Sequence, residues 1–177
     1  MRARTNQGPL RFRYVLMTEE PRKAVAFPDV FQKVLRPKLS FDDRLLAYES
    51  RESGKTEVFV VDFPAFTNKS MVSRGGGHHS LWRAKRAELF FLSGDNRSMM
   101  SAKAKPDGRG MEEPAKLFDL PESVFPGQAY VYPYFYDVAA DGERFLMLQR
   151  LPEDSSRARK PNVRVVLNWF EEFREKK

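Results

Sequence analysis

The chain contains no cysteine and only two histidines, His78 and His79, among its 177 residues. The first absence excludes a disulfide scaffold, a thiolate zinc site and a cysteine nucleophile, and it removes the usual sequence clue to redox compartment. The second confines imidazole chemistry to one place. No apolar run approaches the ~18–20 residues that a membrane-spanning helix needs. No basic stretch followed by an apolar one opens the chain in the manner of a signal peptide. What the chain does have is phenylalanine, 15 residues of it, within an aromatic content of 13%. With 41% hydrophobic and 31% charged residues it can bury a sizeable core, and its length is that of about one domain.

Charge is unevenly placed. The net charge is +7, and residues 1–38 alone carry 9 basic against 3 acidic residues, while residues 120–177 balance at 9 of each. A nucleic-acid-binding module usually spreads its basic residues across one folded face. Here the excess sits in segments such as Arg11-Phe12-Arg13-Tyr14 and Pro21-Arg22-Lys23. A solvated strand edge accounts for that pattern as well as a basic arm does, so the charge argues against nucleic acid as the partner.

Internal repetition organises the rest. Three segments align: Leu39-Ser40-Phe41-Asp42-Asp43-Arg44-Leu45-Leu46-Ala47-Tyr48, then Trp82-Arg83-Ala84-Lys85-Arg86-Ala87-Glu88-Leu89-Phe90-Phe91, then Val138-Ala139-Ala140-Asp141-Gly142-Glu143-Arg144-Phe145-Leu146-Met147. Each reads as a strand end, a tight polar turn and an apolar strand. Asp42, Lys85 and Asp141 share the turn position, at spacings of 43 and 56. The first spacing matches a four-stranded propeller blade of ~40–45 residues. Turn-rich insertions at 105–110 and 121–128 accommodate the longer second one.

Further strands fill each repeat. The first has residues 57–62, with Val58 and Val60 on one face and Phe59 and Val61 on the other, and a polar outer strand at 69–73. The second has 78–82, 88–92, 98–103 and 115–120; the third has 134–139, 144–149 and 162–168. Upstream, 11–18 and 22–27 read as the last strands of a preceding blade. The total is about thirteen short strands, an all-β pattern. Only the end reads as helical: Asn168 and Glu171 have capping-box spacing, and Trp169 and Phe173 share a face.

The stretch 39–64 resembles TolB-type β-propeller repeats, with their aromatic-Ser-Pro-Asp-Gly-Arg-x-Leu-Ala-Tyr turn followed by Ser-Gly and a Val-rich strand. Phe41 and Asp43 stand where that pattern has Pro and Gly, and Arg83-Ala84-Lys85-Arg86 has lost it. The stretch Asn162-Val163-Arg164-Val165-Val166-Leu167-Asn168-Trp169-Phe170 resembles the closing strand and tail of propellers attached C-terminally to bacterial serine/threonine protein kinases. The resemblance implies an all-β fold of four-stranded antiparallel blades, about three in number and forming a partial propeller, with a short C-terminal helix. Residues 1–30 would end a preceding blade, 31–74 and 75–121 would form two whole blades, and 122–177 the last blade and helix.

Candidate sites are few. No kinase signature is present: there is no His-Arg-Asp loop, and Asp62-Phe63-Pro64 is not Asp-Phe-Gly. Gly75-Gly76-Gly77 lacks the Gly-Lys-Ser/Thr and helix of a phosphate-binding loop. His78 and His79 follow it, and adjacent residues on a regular strand face opposite ways, so they are not expected to share a metal ion. The densest aromatic cluster includes Tyr132, Tyr134 and Tyr136, which share one strand face if the run is regular; Pro133 argues for an edge or bend there. These tyrosines, with Trp82, His78 and His79, are the candidate ligand-binding residues, against the competing reading of core packing between blades. The charged stretch 152–160 reads as a hairpin tip.

These readings point to a non-catalytic interaction or sensor module that uses no cofactor or metal. Its parent, on the resemblance, is a bacterial signalling or envelope-associated protein, and its partner a protein or small ligand. Two other readings stand beside it: an accessory propeller of a serine peptidase, and a basic nucleic-acid-binding module. A complete chain would be cytoplasmic, and a piece of a membrane-anchored parent periplasmic or extracellular. Three blades cannot close a ring, and blades apolar on both faces leave open ends. A homodimer, or continuation into a longer propeller, is therefore expected.

Overall fold

A computed structural model describes residues 12–18, 20–31, 34–121, 123–124 and 136–149. The chain divides into two compact units, Met1–Val34 and Leu35–Lys177. The first contains an antiparallel pair, β1 (Arg13–Val15) and β2 (Ala24–Ala26), followed by a single 3-10 turn at Asp29–Phe31. Phe27 continues the ladder by donating its N–H to the Phe12 carbonyl at 3.0 Å, and the two rings meet at 5.8 Å.

The second unit begins with a four-stranded antiparallel meander. Its strands are β3 (Leu35–Leu39), β4 (Leu45–Ser50), β5 (Glu57–Asp62) and β6 (Ser70–Met71), in that spatial order. A second meander repeats the plan with β7 (Gly77–Trp82), β8 (Glu88–Ser93), β9 (Ser98–Lys103) and β10 (Ala115–Asp119). A third sheet starts with β11 (Tyr136–Val138) paired to β12 (Phe145–Met147). Among the described residues these are two whole blades and the first two strands of another, with no α-helix. The helix expected near Asn168, the strand at 162–168 and the stretch 152–160 lie outside the described residues.

The sheets stack because their central strands are apolar on both faces. Along β8, Leu89 and Phe91 join Ala47, Val58 and Val60 of the first sheet in one core. The alternate residues, Phe90 and Leu92, join Tyr136, Phe145 and Met147 in a second. Phe145 stands edge-on to both Phe90 and Phe118, at 5.1 and 5.4 Å. A one-residue slip of β8 would exchange the two cores, so packing on both sides holds the register. On the first sheet's other face Leu46, Tyr48, Phe59 and Val61 are buried, with Tyr48 stacked on Phe59.

The repeat is visible in hydrogen bonds. Ser40, Arg83 and Ala139 each donate the backbone N–H to the carbonyl five residues on, closing the turn at each equivalent position. In the first turn Asp42 accepts from the Ser40 hydroxyl and the Arg44 N–H, and this bonding lowers its pKa. In the third, Asp141 accepts from the Glu143 N–H while Gly142 takes φ +72°. The second turn has no carboxylate. Arg83 instead pairs with Glu88 at 3.0 Å and donates to the Asp141 carbonyl, tying this turn to the next. The same Ser–Asp device recurs between β8 and β9, where Asp95 accepts from Ser93 and the Arg97 N–H.

Candidate functional site

Strand direction alternates through each meander, so the equivalent turns at Asp42, Lys85 and Asp141 lie at one end of the blades. The opposite end carries the hairpin β4–β5, the connection β6–β7 and the hairpin β8–β9. A cavity of about 490 Å³ opens there, between the first two sheets, lined by Arg36, Glu49, Arg51, Lys55, Thr56, Gly76, His78, His79 and Asn96 among others.

Two bulges shape it. The β3–β4 register shifts between Leu35 and Lys38, and the β7–β8 register shifts between His78 and Leu81. Arg36 inside the first shift has φ +47°, and His79 inside the second has φ +55°. The left-handed region is uncommon for residues other than glycine, and bulges re-aim the side chains they hold. Arg36 and His79 are 43 residues apart, the spacing of the first two turns, so the bulge belongs to the repeat while its side chain differs between blades.

The second bulge overturns the expectation for the histidine pair. On a regular strand His78 and His79 would face apart. With His79 left-handed, the rings meet edge to face at 4.9 Å and their Nδ1 atoms lie 2.7 Å apart. Contact this short requires one Nδ1–H to donate to the lone pair of the other. Burial, then the Arg36 charge, lowers the pKa of His78 to about 4; burial, Arg36 and His78 lower that of His79 to about 3. Both rings are therefore neutral at pH 7. Among the described residues no group of three or more His, Asp and Glu side chains is arranged to hold a metal ion.

His79 is clamped through its backbone from both sides. Its N–H donates to Glu49 Oε1 at 2.7 Å, and its carbonyl accepts the Tyr136 hydroxyl at 2.6 Å. Glu49 is fully buried, and its second oxygen accepts from Arg36 at 2.8 Å. Burial raises the Glu49 pKa while Arg36 and the His79 N–H oppose the shift. A buried carboxylate is tolerated only when paired and hydrogen-bonded, and this one is both.

The glycines serve close approach. The buried carboxylate of Glu57 accepts the Gly76 N–H at 2.8 Å and the Ser73 hydroxyl. Gly76, with φ +109°, lies so near Gly94 that a Cβ on it would stand 2.8 Å from the Gly94 Cα. The triplet is thus a connection pinned by its own carboxylate.

Of the six residues singled out in the sequence, His78 and His79 line the cavity. Trp82 sits at the other end of β7, donating its indole N–H to the Lys38 carbonyl at 2.9 Å. Tyr136 is a core residue between the second and third sheets, its hydroxyl also 3.3 Å from the Phe90 carbonyl. Tyr132 and Tyr134 lie outside the described residues. Arg36, Glu49, Arg51, Lys55 and Thr56 escaped the sequence reading; the available signal was Glu49, a lone carboxylate inside an apolar strand.

No protein-family model matches the chain, and no curated protein matches it. Among solved structures the chain is similar to the β-propeller domain of the Trilobed protease from Pyrococcus furiosus, whose report describes an open velcro topology. The two are 13% identical with a TM-score of 0.42, and the match covers 77% of this chain and 54% of that one. The chain thus spans about half the length of the structure it matches. By their own two stacked meanders and the start of a third, the described residues form an all-β fold of four-stranded antiparallel blades.

Proposed function

We propose that the chain is a non-catalytic interaction or sensor module that takes a small ligand in the cavity between its first two blades. The carrying observation is the pair of equivalent bulges. The first strands of the two sheets, β3 and β7, each leave the regular ladder at the same end, and in doing so they bring Arg36 and His79 to one opening. Strained backbone of this kind persists only where surrounding bonds enforce it, and it concentrates at functional sites. At His79, Glu49 and Tyr136 hold the backbone on both sides.

The histidine pair supports a binding role over a catalytic one. A general base for a hydroxyl nucleophile needs a ring nitrogen within hydrogen-bond reach of that hydroxyl. The two Nδ1 atoms here engage each other, and both rings titrate far below neutrality. The parent suggested by the TolB-type repeats, a bacterial signalling or envelope-associated protein with a kinase upstream, fits a module that reports ligand occupancy.

The test has two parts. Purified chain is expected to show no kinase, peptidase or esterase turnover. Activity that survives purification and disappears on His78→Asn or His79→Asn would refute the non-catalytic reading. A soluble fragment library is expected to contain compounds that shift the two imidazole resonances saturably, and a Thr56→Trp variant, which fills the cavity, is expected to abolish the shifts.

A further inference from the structure

The charges around the cavity are unequal. Arg36, Arg51 and Lys55 line it against a single carboxylate, Glu49, and that carboxylate is fully engaged by the Arg36 guanidinium and the His79 N–H. The imidazoles contribute no charge at neutral pH. The lining residues therefore carry a net positive charge of two while offering no uncommitted anionic oxygen from Glu49.

The field is felt at the rings themselves. After burial, the Arg36 charge lowers the pKa of both histidines, so a positive charge placed beside them is opposed. A cation in this cavity would meet that opposition, and a negatively charged group would relieve it. The bulge at Arg36 adds a geometric reason. A regular β3 would alternate its side chains, whereas the left-handed turn at Arg36 holds the guanidinium at the cavity with one nitrogen on Glu49. A guanidinium has five N–H donors in a planar fork, and one bond to Glu49 leaves the fork able to meet an oxyanion. On the facing hairpin, Arg51 is steadied by its Nε–H donated to Thr56 Oγ1 at 3.1 Å. A cavity of this volume lies within the range of small-ligand sites.

We infer that the cavity takes a small oxyanion-bearing molecule, one with a carboxylate or phosphate group held between Arg36 and the Arg51–Lys55 hairpin. This rests on the reading of the cavity as a ligand site and adds the chemical class of the ligand. The histidine pair forms the neutral floor, and its two imidazoles are the only ones in the chain.

Arg36 is a poor residue to change, because its loss strands the buried Glu49 carboxylate. Arg51 and Lys55 are exposed, and the double variant Arg51→Gln/Lys55→Gln leaves the core untouched. The experiment follows the His78 and His79 resonances of the full chain at constant ionic strength. Inorganic phosphate, citrate and neutral glucose are added separately. Saturable shifts with phosphate, citrate or both are expected, and the responding anion distinguishes phosphate from carboxylate recognition. The double variant is expected to bind about fivefold or more weakly, the loss for one close charge pair in a largely aqueous setting. No saturable shift with either anion, or equal affinity in the double variant, overturns the inference. If glucose or neutral fragments alone move the resonances, the anion class is wrong and the ligand site stands. If nothing moves them, both readings fall.

Discussion

The histidine pair makes stability depend on pH below the ordinary imidazole range. Each ring has a folded pKa far below the ordinary 6.5, at about 4 and about 3. Between those values and 6.5 the unfolded chain binds protons that the folded chain does not. Stability therefore rises with pH across this window and is lost on acidification. At pH 5 the unfolded histidines are nearly all protonated and the folded pair is still neutral. Each ring then costs about 2 kcal/mol relative to pH 7.5, about 4 kcal/mol for the pair. That is a large share of the roughly 5–15 kcal/mol that holds a domain folded. The carboxylates with lowered pKa, Asp42, Asp95, Asp119 and Asp141, lose their contributions as the pH falls through the ordinary carboxylate value near 4 towards their own lower values. Glu49 has the opposite sign, since its raised pKa lets the folded state take up a proton first. The comparison must therefore be between variants that all keep Glu49. His79→Asn is suitable because asparagine tolerates the left-handed conformation and keeps the backbone N–H for Glu49. Urea unfolding at pH 7.5, 6 and 5 is expected to show wild type losing about 2 kcal/mol more than His79→Asn over this range. Equal losses in the two proteins would refute the assignment of the pH dependence to the buried pair.

Other perturbations test the frame around the cavity. Ser73→Ala removes the acceptor of the buried Val58 N–H at 2.8 Å and the donor to Glu57, and is expected to cost about 2–3 kcal/mol by urea unfolding. Gly76→Ala, with positive φ and a Cβ pressed on Gly94, is expected to cost roughly 3 kcal/mol. Gly108→Ala, equally left-handed but with open space around it, is expected to cost only about 1 kcal/mol. Similar losses at the two glycines would show that the Gly76–Gly94 approach is not tight. Tyr136→Phe leaves the His79 carbonyl without its 2.6 Å partner and is expected to lower stability by about 1–2 kcal/mol, with the His79 resonance shifted.

Local rules made the strands and turns legible. Residues 57–62 and 98–103 alternate or run apolar between turn residues, and β5 and β9 occupy those limits. The 43- and 56-residue spacings also survive as equivalent turn-closing hydrogen bonds at Ser40, Arg83 and Ala139. Period-two patterning and turn chemistry act over a few residues, so the local order of residues carries them. The second turn is the instructive case. Arg83 replaces the expected serine, and only the neighbouring Asp141 carbonyl explains what the replacement does.

The cavity was not legible in the same way. Period two assigned His78 and His79 to opposite faces, and that inference fails wherever a bulge inserts. Neither Arg36 nor His79 is a residue type that demands positive φ; the backbone of His79 is held by Glu49, 30 residues before it, and Tyr136, 57 residues after it. The sequence by itself determined blade-type strands, their turns and their double-sided apolar character, because these follow from neighbours along the chain. Tertiary structure alone decided where β3 and β7 break, that the histidines meet, and that their opening faces arginine. Those outcomes depend on a buried carboxylate and a buried hydroxyl reaching across sheets, and no local pattern encodes which sheets will meet.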